Sequence, residues 1–326
     1  MSASVSASVP VSTPKPTVLA VAKLSPLLMP QLAEAFDLHV LPELDAAALA
    51  ALAPRVRGIA ASGDSKVPAA LIAQCAALEA ISVMGVGYDG VDVAAAKAKN
   101  VMVTHTPNVL NDDVADLALG LMLSAARQLP AADRFVRAGL WLQGNMPLAR
   151  KMSGARLGLV GIGRIGQAIA QRALAFNMSV AYTARSARAE LPFAFHPSAA
   201  ALAANVDFLV VITPGGAATR HMINAEVLKA LGPKGFLVNV ARGSVVDEQA
   251  LIEALEQGVI AGAGLDVFED EPRVPQRLLD LGKVVLTPHV GSATAATRQA
   301  MADLAFNNLA ARLAGCAVLT PVPECA

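Results

Sequence analysis

A glycine fingerprint enclosed by a strand and a helix is the strongest constraint on the fold of this chain. In LGLVGIGRIGQAIA, Gly161, Gly163 and Gly166 follow an apolar run and open a helical pattern. The first glycine permits a tight turn, the second lets the backbone approach a pyrophosphate, and the third allows close packing of helix on strand. These flanks, and a second strand further along, predict a dinucleotide-binding βαβ unit with Arg164 and Ile165 in its cofactor-binding loop.

Short apolar runs alternate with helical patterns over most of the chain. Repeated strand–helix alternation predicts parallel sheets covered by helices, and an apolar content of 55% suits such buried strands. The predicted strands of the first series cover residues 17–21, 38–41, 58–61, 80–84 and 101–104. Those of the second series cover residues 157–160, 179–182, 208–212, 236–240, 262–266 and 284–286.

Two predicted helices set the limits of the domains. A long apolar helix is expected from Asn111, with Asn111, Asp112 and Asp113 as its N-cap and acidic first turn, and with an end at Pro130. A last helix over residues 294–313 would return the chain to the first domain. The predicted fold is α/β, with two doubly wound parallel-sheet domains: a Rossmann dinucleotide-binding domain inserted into a flavodoxin-like substrate domain. Residues 1–16 are expected to be a disordered tail, 17–106 and 291–326 the substrate-binding domain, and 107–290 the Rossmann dinucleotide-binding domain.

Composition excludes several classes of function. The formal net charge is zero, so the sequence carries no electrostatic footprint for nucleic acid or anionic lipid. The first residues lack the basic and apolar regions of a secretory signal, and no run of about eighteen apolar residues predicts a membrane span. The three cysteines, Cys75, Cys316 and Cys325, form no CxxC and no cluster with histidine. We therefore predict no metal site and a reducing, cytoplasmic location.

The choice of cofactor depends on the residues that follow the second strand of the βαβ unit. An NAD site usually places an acid there, roughly 20 residues after the fingerprint, on the ribose 2′-hydroxyl. This chain instead has Arg185 and Ser186, with no acid until Glu190. Charge-assisted hydrogen bonds of about 1.5–3 kcal/mol from Arg185 to a 2′-phosphate predict NADPH, with NADH as a weaker alternative. The other interpretation is that Arg185 is a solvated loop cation.

Three polar residues follow later strands of the second series. They are Arg242 in NVARGSVVDE, Glu271 in GLDVFEDEP and His289 in VVLTPHVGSAT. The carboxyl ends of parallel strands share one edge, so a cation for a carboxylate, an acid/base imidazole and a carboxylate that orients it would converge beside the dinucleotide. This combination predicts hydride transfer to a 2-oxo acid. Glu269 and Asp270 are alternatives to Glu271.

Further candidate binding residues lie at other strand ends. Val86 and Gly87 follow a strand of the first series, and their backbone N–H groups would form an anion nest for a substrate carboxylate. Arg242 and His289 are also predicted to bind the substrate. The remaining candidate cofactor contacts are Thr213, Val240, Ala241, Arg242, Asp266, His289 and Gly291.

The chain resembles the D-isomer-specific 2-hydroxyacid dehydrogenase family over nearly all residues after the tail. The matching stretches are VGYDGVD, HTPNVLNDDVADLALGL, GLVGIGRIGQAIA, LVNVARGSVVDEQALIEAL, AGAGLDVFEDEP and LTPHVGSATAATR. YTARS, ADRFVRAGLWLQG and PHVGSATAATRQAMADL further resemble the NADPH-using glyoxylate/hydroxypyruvate reductases and the plant hydroxyphenylpyruvate reductases within it.

The resemblance implies roles for particular residues. Arg242 would bind substrate, Glu271 and His289 would be the acid/base pair, and Asp266 would lie near the nicotinamide. A homodimer built around the long helix is also implied, with Trp141 reaching toward the partner's substrate pocket. The chain departs from the family pattern in the loop TPGG at residues 213–216 and at His105, where the family often has asparagine.

Two alternative functions remain open at the level of sequence. One is an NAD-dependent D-2-hydroxyacid dehydrogenase of the same fold, such as a phosphoglycerate dehydrogenase, against which Arg185 argues. The other is a non-catalytic nucleotide sensor that resembles the related corepressors, which an intact Arg242, Glu271 and His289 does not exclude.

Overall fold

A computed structural model describes residues 14–326 of the chain. These residues form two compact units: one combines the described residues up to Thr106 with Gln299–Ala326, and the other spans Pro107–Arg298. Most of the predicted N-terminal tail lies outside the described residues. Its last residue, Pro16, accepts a hydrogen bond from the Asp37 amide (3.0 Å) and so is part of the first unit.

The first unit contains a five-stranded parallel sheet. Its strands are β1 (Thr17–Ala20), β2 (Asp37–Val40), β3 (Val56–Ser62), β4 (Ala80–Met84) and β5 (Met102–Thr104). The helices between them are α1 (Met29–Ala35), α2 (Ala46–Leu52), α3 (Ala69–Gln74) and α4 (Val93–Ala98). The strand order β2-β1-β3-β4-β5 is that of flavodoxin-like folds, which confirms the predicted fold class.

The second unit contains a seven-stranded parallel sheet in the order β12-β11-β10-β9-β6-β7-β8. The strands are β6 (Arg156–Val160), β7 (Ser179–Thr183), β8 (Ala194–Phe195), β9 (Phe208–Val211), β10 (Phe236–Asn239), β11 (Gly262–Leu265) and β12 (Val284–Leu286). The helices are α5 (Asn111–Arg127), α6 (Leu129–Arg137), α7 (Arg164–Ala175), α8 (Ala199–Ala203), α9 (Ala225–Leu231), α10 (Glu248–Glu256) and α11 (Gln276–Leu279). Counted within the unit, this is the Rossmann order with one further strand.

The central strands of the second sheet are buried on both faces. Every residue of β9, β10 and β11 is buried, because α5 and α7 cover one side while α8, α9 and α10 belong to the core on the other. One strand of this sheet, β8, was not predicted; it is a two-residue edge strand whose side chains are exposed. It was missed at the level of sequence because two exposed residues carry no pattern of alternation.

The long helix begins at Asn111, as predicted, but its N-cap differs from the prediction. Its N-cap residue is Leu110, which makes no side-chain cap, so the predicted capping role of the Asn-Asp-Asp run is wrong. The carboxylates bond outward instead: Asp112 pairs with Arg172 (2.9 Å) and Asp113 accepts from the Thr294 hydroxyl (2.6 Å). The acidic first turn, with its favourable interaction with the helix dipole, is present as expected.

Pro130 begins a helix and does not end one. α5 ends at Arg127 because Gln128 adopts a left-handed conformation (φ 54°). Pro130 then lies in the first turn of α6, where the missing N–H has no intrahelical partner to lose. The prediction that α5 continues to Pro130 is therefore wrong by one short turn.

The last helix, α12 (Ala295–Leu313), contains the boundary between the two units, at Arg298 and Gln299. The boundary expected from sequence lay earlier, between residues 290 and 291. In the structure the Val290 and Gly291 amides donate hydrogen bonds to the Asp266 carboxylate of the second unit. The boundary between the units therefore lies further along the chain than predicted. Among the described residues, none of the helices combines the length and the apolar character that crossing a membrane requires.

Candidate active site

The predicted site residues of the second unit follow the carboxyl ends of its strands. Because all seven strands are parallel, these ends lie along one edge of the sheet. The fingerprint glycines follow β6, Arg185 and Ser186 follow β7, and Thr213 follows β9. Strands β10, β11 and β12 are followed by the other candidates: Val240, Ala241 and Arg242 after β10, Asp266 and Glu271 after β11, and His289 and Gly291 after β12.

Two of the fingerprint glycines are required by the backbone around them, and the third borders open space. Gly161 has a φ of 104°, and a β-carbon there would lie 2.8 Å from the Ile212 carbonyl oxygen. A β-carbon at Gly166 would lie 2.6 Å from the Gly161 carbonyl oxygen. Gly163 has nothing within 4 Å of such a position and therefore borders open space at the start of α7. Helix α7 has twelve residues and no acid in its first turn. Its first N–H groups attract anions, so the open space at its start suits the diphosphate of a dinucleotide.

The end of β7 presents a cation and a hydroxyl group. Arg185 and Ser186 are both exposed there. Glu190, the first acid after the strand, is paired with Arg188 (2.7 Å), and this hydrogen bond lowers the pKa of Glu190. Within the described part of the chain Arg185 has no ion-pair partner. The charge at this position thus fits a 2′-phosphate better than a 2′-hydroxyl group.

A buried asparagine shapes the turn that carries Arg242. The Asn239 side chain accepts a hydrogen bond from the Ala241 amide (3.1 Å) and donates one to the Arg242 carbonyl oxygen (3.0 Å). The next residue, Gly243, packs so tightly that a β-carbon would lie 1.9 Å from the Phe268 carbonyl group. The turn after β10 therefore lies directly against the backbone that leads to Glu271. Asn239 was not among the predicted site residues, since its only signal in the sequence is a polar residue at the end of a buried strand.

His289 and Glu271 form a close pair. His289 Nδ1 lies 2.7 Å from Glu271 Oε2, and the two side chains are 32% and 29% exposed. The other carboxylate oxygen, Oε1, accepts a hydrogen bond from the Phe268 amide (3.0 Å). A carboxylate that is bonded at both oxygens holds the imidazole in one orientation and places Nε2 on the opposite side of the ring.

The same contacts set the ionisation of Glu271. Burial alone would raise the pKa of its carboxyl group, but the hydrogen bonds from His289 and from Phe268, with the charge of Arg242, hold that pKa below its usual value. A depressed pKa in the folded state means that the pair stabilises the fold at neutral pH. This stabilisation is lost as the pH falls through the folded-state pKa.

Asp266 anchors the loop that carries His289. Asp266 is 2% exposed, and its carboxylate accepts three hydrogen bonds, from the Thr287 hydroxyl (2.6 Å), the Val290 amide (2.8 Å) and the Gly291 amide (2.8 Å). His289 lies between these donors and has a φ of 52°, a left-handed conformation that costs about 1–3 kcal/mol for a residue other than glycine. The three bonds hold the loop in this conformation.

The two alternative acids have other partners. Asp270 is paired with Arg273 (2.7 Å), which lowers the pKa of Asp270. Glu269 is paired with Arg220 (2.8 Å) and with His221 Nε2 (2.9 Å). Neither acid is bonded to His289, so the geometry places Glu271 beside the imidazole.

The remaining candidate residues lie elsewhere in the fold. Val86 and Gly87 belong to the first unit, in the loop after β4. Trp141 belongs to the second unit, in a single 3-10 turn (Leu140–Leu142), and its side chain is 65% exposed. The described residues of this chain therefore leave most of the indole uncovered.

The loop anchored by Asp266 gives a prediction about stability. In Asp266→Asn the side-chain amide must face at least one N–H or O–H donor, so we expect the free energy of unfolding to fall by about 1–3 kcal/mol. Thr287→Val removes one donor and should cost about 1 kcal/mol. Urea denaturation measures both, with the exposed Asp280→Asn as the control, which should change stability by less than about 0.5 kcal/mol. An Asp266→Asn protein as stable as the wild type would contradict the anchoring role.

Comparisons with known proteins identify the family. The model of the D-isomer specific 2-hydroxyacid dehydrogenase, NAD binding domain, matches residues 119–291. Glyoxylate/hydroxypyruvate reductase A of Arabidopsis thaliana is 47% identical over 82% of this chain and 85% of its own length. The 2-ketogluconate reductase of Gluconobacter oxydans is 44% identical over 94% of this chain and 99% of its own length.

A solved structure shows the same relationship. The NADPH-dependent glyoxylate/hydroxypyruvate reductase of Sinorhizobium meliloti, in complex with NADP and malonate, has a TM-score of 0.90 and 48% sequence identity, covering 95% of this chain and 98% of that chain. These matches confirm the resemblance predicted from the motifs. The family model covers more than half of the 326 residues, and the relatives match most of the chain at this level of identity. The chain belongs to the D-isomer specific 2-hydroxyacid dehydrogenase family.

Proposed function

We propose that the protein is an NADPH-dependent reductase that converts small 2-oxo acids, among them glyoxylate and hydroxypyruvate, to 2-hydroxy acids. Where the product is chiral, it has the D configuration. The observation that carries this proposal is the 2.7 Å pair of His289 with Glu271, on the sheet edge that also carries the glycine fingerprint. The named activities of the relatives, including the reductase with NADP bound, support the same reaction.

The residues of the chain divide the chemistry between them. NADPH, when bound, supplies the hydride that adds to the carbonyl carbon of the 2-oxo acid. His289 donates a proton from Nε2 to the carbonyl oxygen, so that the carbonyl becomes an alcohol. Glu271 holds Nδ1, which fixes the orientation of the ring and favours the protonated imidazole. Arg242 pairs with the substrate carboxylate, for which its planar guanidinium group is better suited than lysine.

The cofactor contacts follow from the strand ends. The N–H groups at Gly163, Arg164 and Ile165 would hold the diphosphate at the start of α7. Arg185 and Ser186 would hold the 2′-phosphate. The other proposed cofactor contacts are Gly161, Gly166, Thr213, Val240, Ala241, Arg242, Asp266, His289 and Gly291.

The proposed activity has a direct test. Protein, NADPH and either glyoxylate or hydroxypyruvate are mixed, and the absorbance of the reduced nicotinamide is followed, with NADH in a parallel series. We expect oxidation of NADPH that depends on the 2-oxo acid. A protein that binds NADPH but oxidises it with no acid of a panel from glyoxylate to phenylpyruvate and 2-ketogluconate would instead be a nucleotide sensor.

The preference for NADPH depends on Arg185. Replacing Arg185 with glutamine should lower kcat/KM for NADPH by about tenfold or more, because a charge-assisted hydrogen bond contributes about 1.5–3 kcal/mol. Adding Ala184→Asp should improve the use of NADH, since a carboxylate accepts from the ribose hydroxyl and repels a 2′-phosphate. Arg188→Gln, in the same exposed loop but paired with Glu190, is the control and should leave the ratio unchanged. A wild-type preference for NADH would refute the argument.

The acid/base pair predicts two different kinetic effects. His289→Asn should lower kcat by about 10²–10⁴ while NADPH binding, measured by fluorescence, stays unchanged. In Glu271→Gln, reduction should fall off at a lower pH than in the wild type, because the protonated imidazole loses its carboxylate partner. Asp270→Asn removes a neighbouring acid that is paired with Arg273 and should leave the pH profile unaltered. If Glu271→Gln has the wild-type profile, another group orients His289.

An apolar surface supports a homodimer as a further part of the proposal. Several large apolar side chains on and after α6 are exposed, and apolar surface of this kind is typical of a contact with another protein. These side chains are Leu129, Val136, Leu140, Trp141, Leu142 and Leu148. We infer that a second copy covers them and that Trp141 extends toward the partner's substrate pocket.

The unclustered cysteines and the absence of a disulfide among the described residues support a location in the cytoplasm.

The dimer hypothesis is tested with Trp141→Ala. Sedimentation at micromolar concentration should give a dimer for the wild type. Trp141→Ala should change KM or kcat for bulky 2-oxo acids relative to glyoxylate, with little change in NADPH affinity, because the indole limits the size of the substrate. A monomeric wild type, or a variant that loses all substrates equally, would show that Trp141 has no such role.

A further inference from the structure

The loop after β4 is held by its carbonyl groups. The Thr106 amide donates to the Gly85 carbonyl oxygen (2.8 Å), and His105 Nδ1 lies 2.9 Å from the Val86 carbonyl oxygen. Because a carbonyl oxygen only accepts hydrogen bonds, Nδ1 of His105 carries the proton in this contact. His105 is only 8% exposed, so its hydrogen bond to the Val86 carbonyl oxygen is shielded from water.

These two bonds determine where the next amides point. A planar trans peptide places its N–H opposite its C=O. The Gly85 carbonyl shares a peptide with the Val86 N–H, and the Val86 carbonyl shares one with the Gly87 N–H. Both N–H groups therefore point away from residues 105 and 106. Among the described residues neither N–H donates to another group. Two successive N–H groups on one side of a loop form a binding site for an anion.

We propose that His105 is a positioning residue for the substrate carboxylate: by holding the Val86 carbonyl group, it orients the Gly87 N–H toward the anion. This inference rests on the proposed function and on the prediction from sequence that the N–H groups of Val86 and Gly87, in the loop after β4, form an anion nest for the carboxylate of the 2-oxo acid. His105 itself touches neither the substrate nor the reacting atoms. Its effect is expected on the affinity for the carboxylate and not on the proton transfer at His289.

Residues of the first unit hold His105 in place. The Tyr88 ring stands edge-on to the imidazole, with ring centroids 5.3 Å apart and planes at 89°. The Thr320 hydroxyl donates to the His105 carbonyl oxygen (2.6 Å), and the His105 amide donates to the Thr320 carbonyl oxygen (3.2 Å). The segment after α12 thus pairs with the backbone on which the imidazole is mounted.

Tyr88 is fixed in turn by the same segment. Its hydroxyl donates to Glu324 Oε2 (3.0 Å). Burial, and then this hydrogen bond, raise the pKa of Tyr88 to about 12, so the phenol stays protonated and remains a donor. The imidazole consequently packs against an aromatic ring that is itself held in one position.

The test compares two substitutions of His105. His105→Asn keeps an N–H donor at the position of Nδ1, whereas His105→Leu has a similar size and no donor. Binding of oxamate, a carboxylate that resembles a 2-oxo acid, is measured by calorimetry on the NADPH complex, together with KM and kcat for glyoxylate. His39→Leu on β2 of the same unit is the matched control.

We expect His105→Leu to raise both the Kd for oxamate and the KM for glyoxylate by about five- to tenfold, the effect of one hydrogen bond. kcat should change by less than about threefold, and the Kd for NADPH should not change. His105→Asn should stay within about twofold of the wild type, and His39→Leu should resemble the wild type. In wild-type protein, oxamate should also shift the amide resonances of Val86 and Gly87.

Three results would overturn the proposal: wild-type affinity for oxamate in His105→Leu, an equal loss in His105→Asn, or unshifted resonances of Val86 and Gly87. The test separates the proposal from the proposed function. A wild-type protein that binds oxamate in a His105-dependent way but reduces no 2-oxo acid would refute the function alone. A wild-type protein that reduces glyoxylate, with His105→Leu unaffected, would refute the role of His105 alone.

Discussion

Parallel pairing of the seven strands in the second unit is the constraint on which the rest of the candidate site depends. Parallel strands end on the same edge, so residues far apart in sequence become neighbours there. The fingerprint after β6, the arginine turn after β10, the acidic turn after β11 and the histidine loop after β12 all lie on this edge. The chain therefore needs only short turns at strand ends to bring a cation, a carboxylate and an imidazole to one side of the sheet.

The turns themselves are held by buried polar groups. Asn239 closes the turn of Arg242, and Asp266 accepts three hydrogen bonds from the loop of His289. A hydrogen bond to a charged group contributes about 1.5–3 kcal/mol, so three of them outweigh the cost of about 1–3 kcal/mol for the left-handed conformation of His289. Gly243 adds a steric contribution, because only a residue without a side chain lets the arginine turn lie against the Phe268 backbone.

Features of the fold and of the site could be predicted from sequence where they depend on residues that are close together in the chain. The fold class, the strand ends and the residues that follow them were predictable, because apolar periodicity and glycine spacing are local signals. The N-cap of α5 was not, since Asp112 and Asp113 bond to Arg172 and Thr294, which are distant in sequence. The contacts of His105 escaped for the same reason: nothing near HTPNVL indicates that its imidazole bonds to the Val86 carbonyl group. In the loop TPGG, which departs from the family pattern, Gly216 has a φ of 116° and the Thr219 hydroxyl lies within hydrogen-bond distance of the Pro214 and Gly216 carbonyl oxygens (2.7 and 3.3 Å), contacts that the sequence did not indicate.

In the proposed reaction, hydride passes from NADPH to one face of a 2-oxo acid at this edge of the sheet while His289 protonates the carbonyl oxygen. The most direct measurement uses NADPH deuterated at the transferred position with hydroxypyruvate, followed by mass spectrometry and chiral chromatography of the product. The account predicts D-glycerate with deuterium at C2. Glycerate of the L configuration, or product without deuterium at C2, would contradict it.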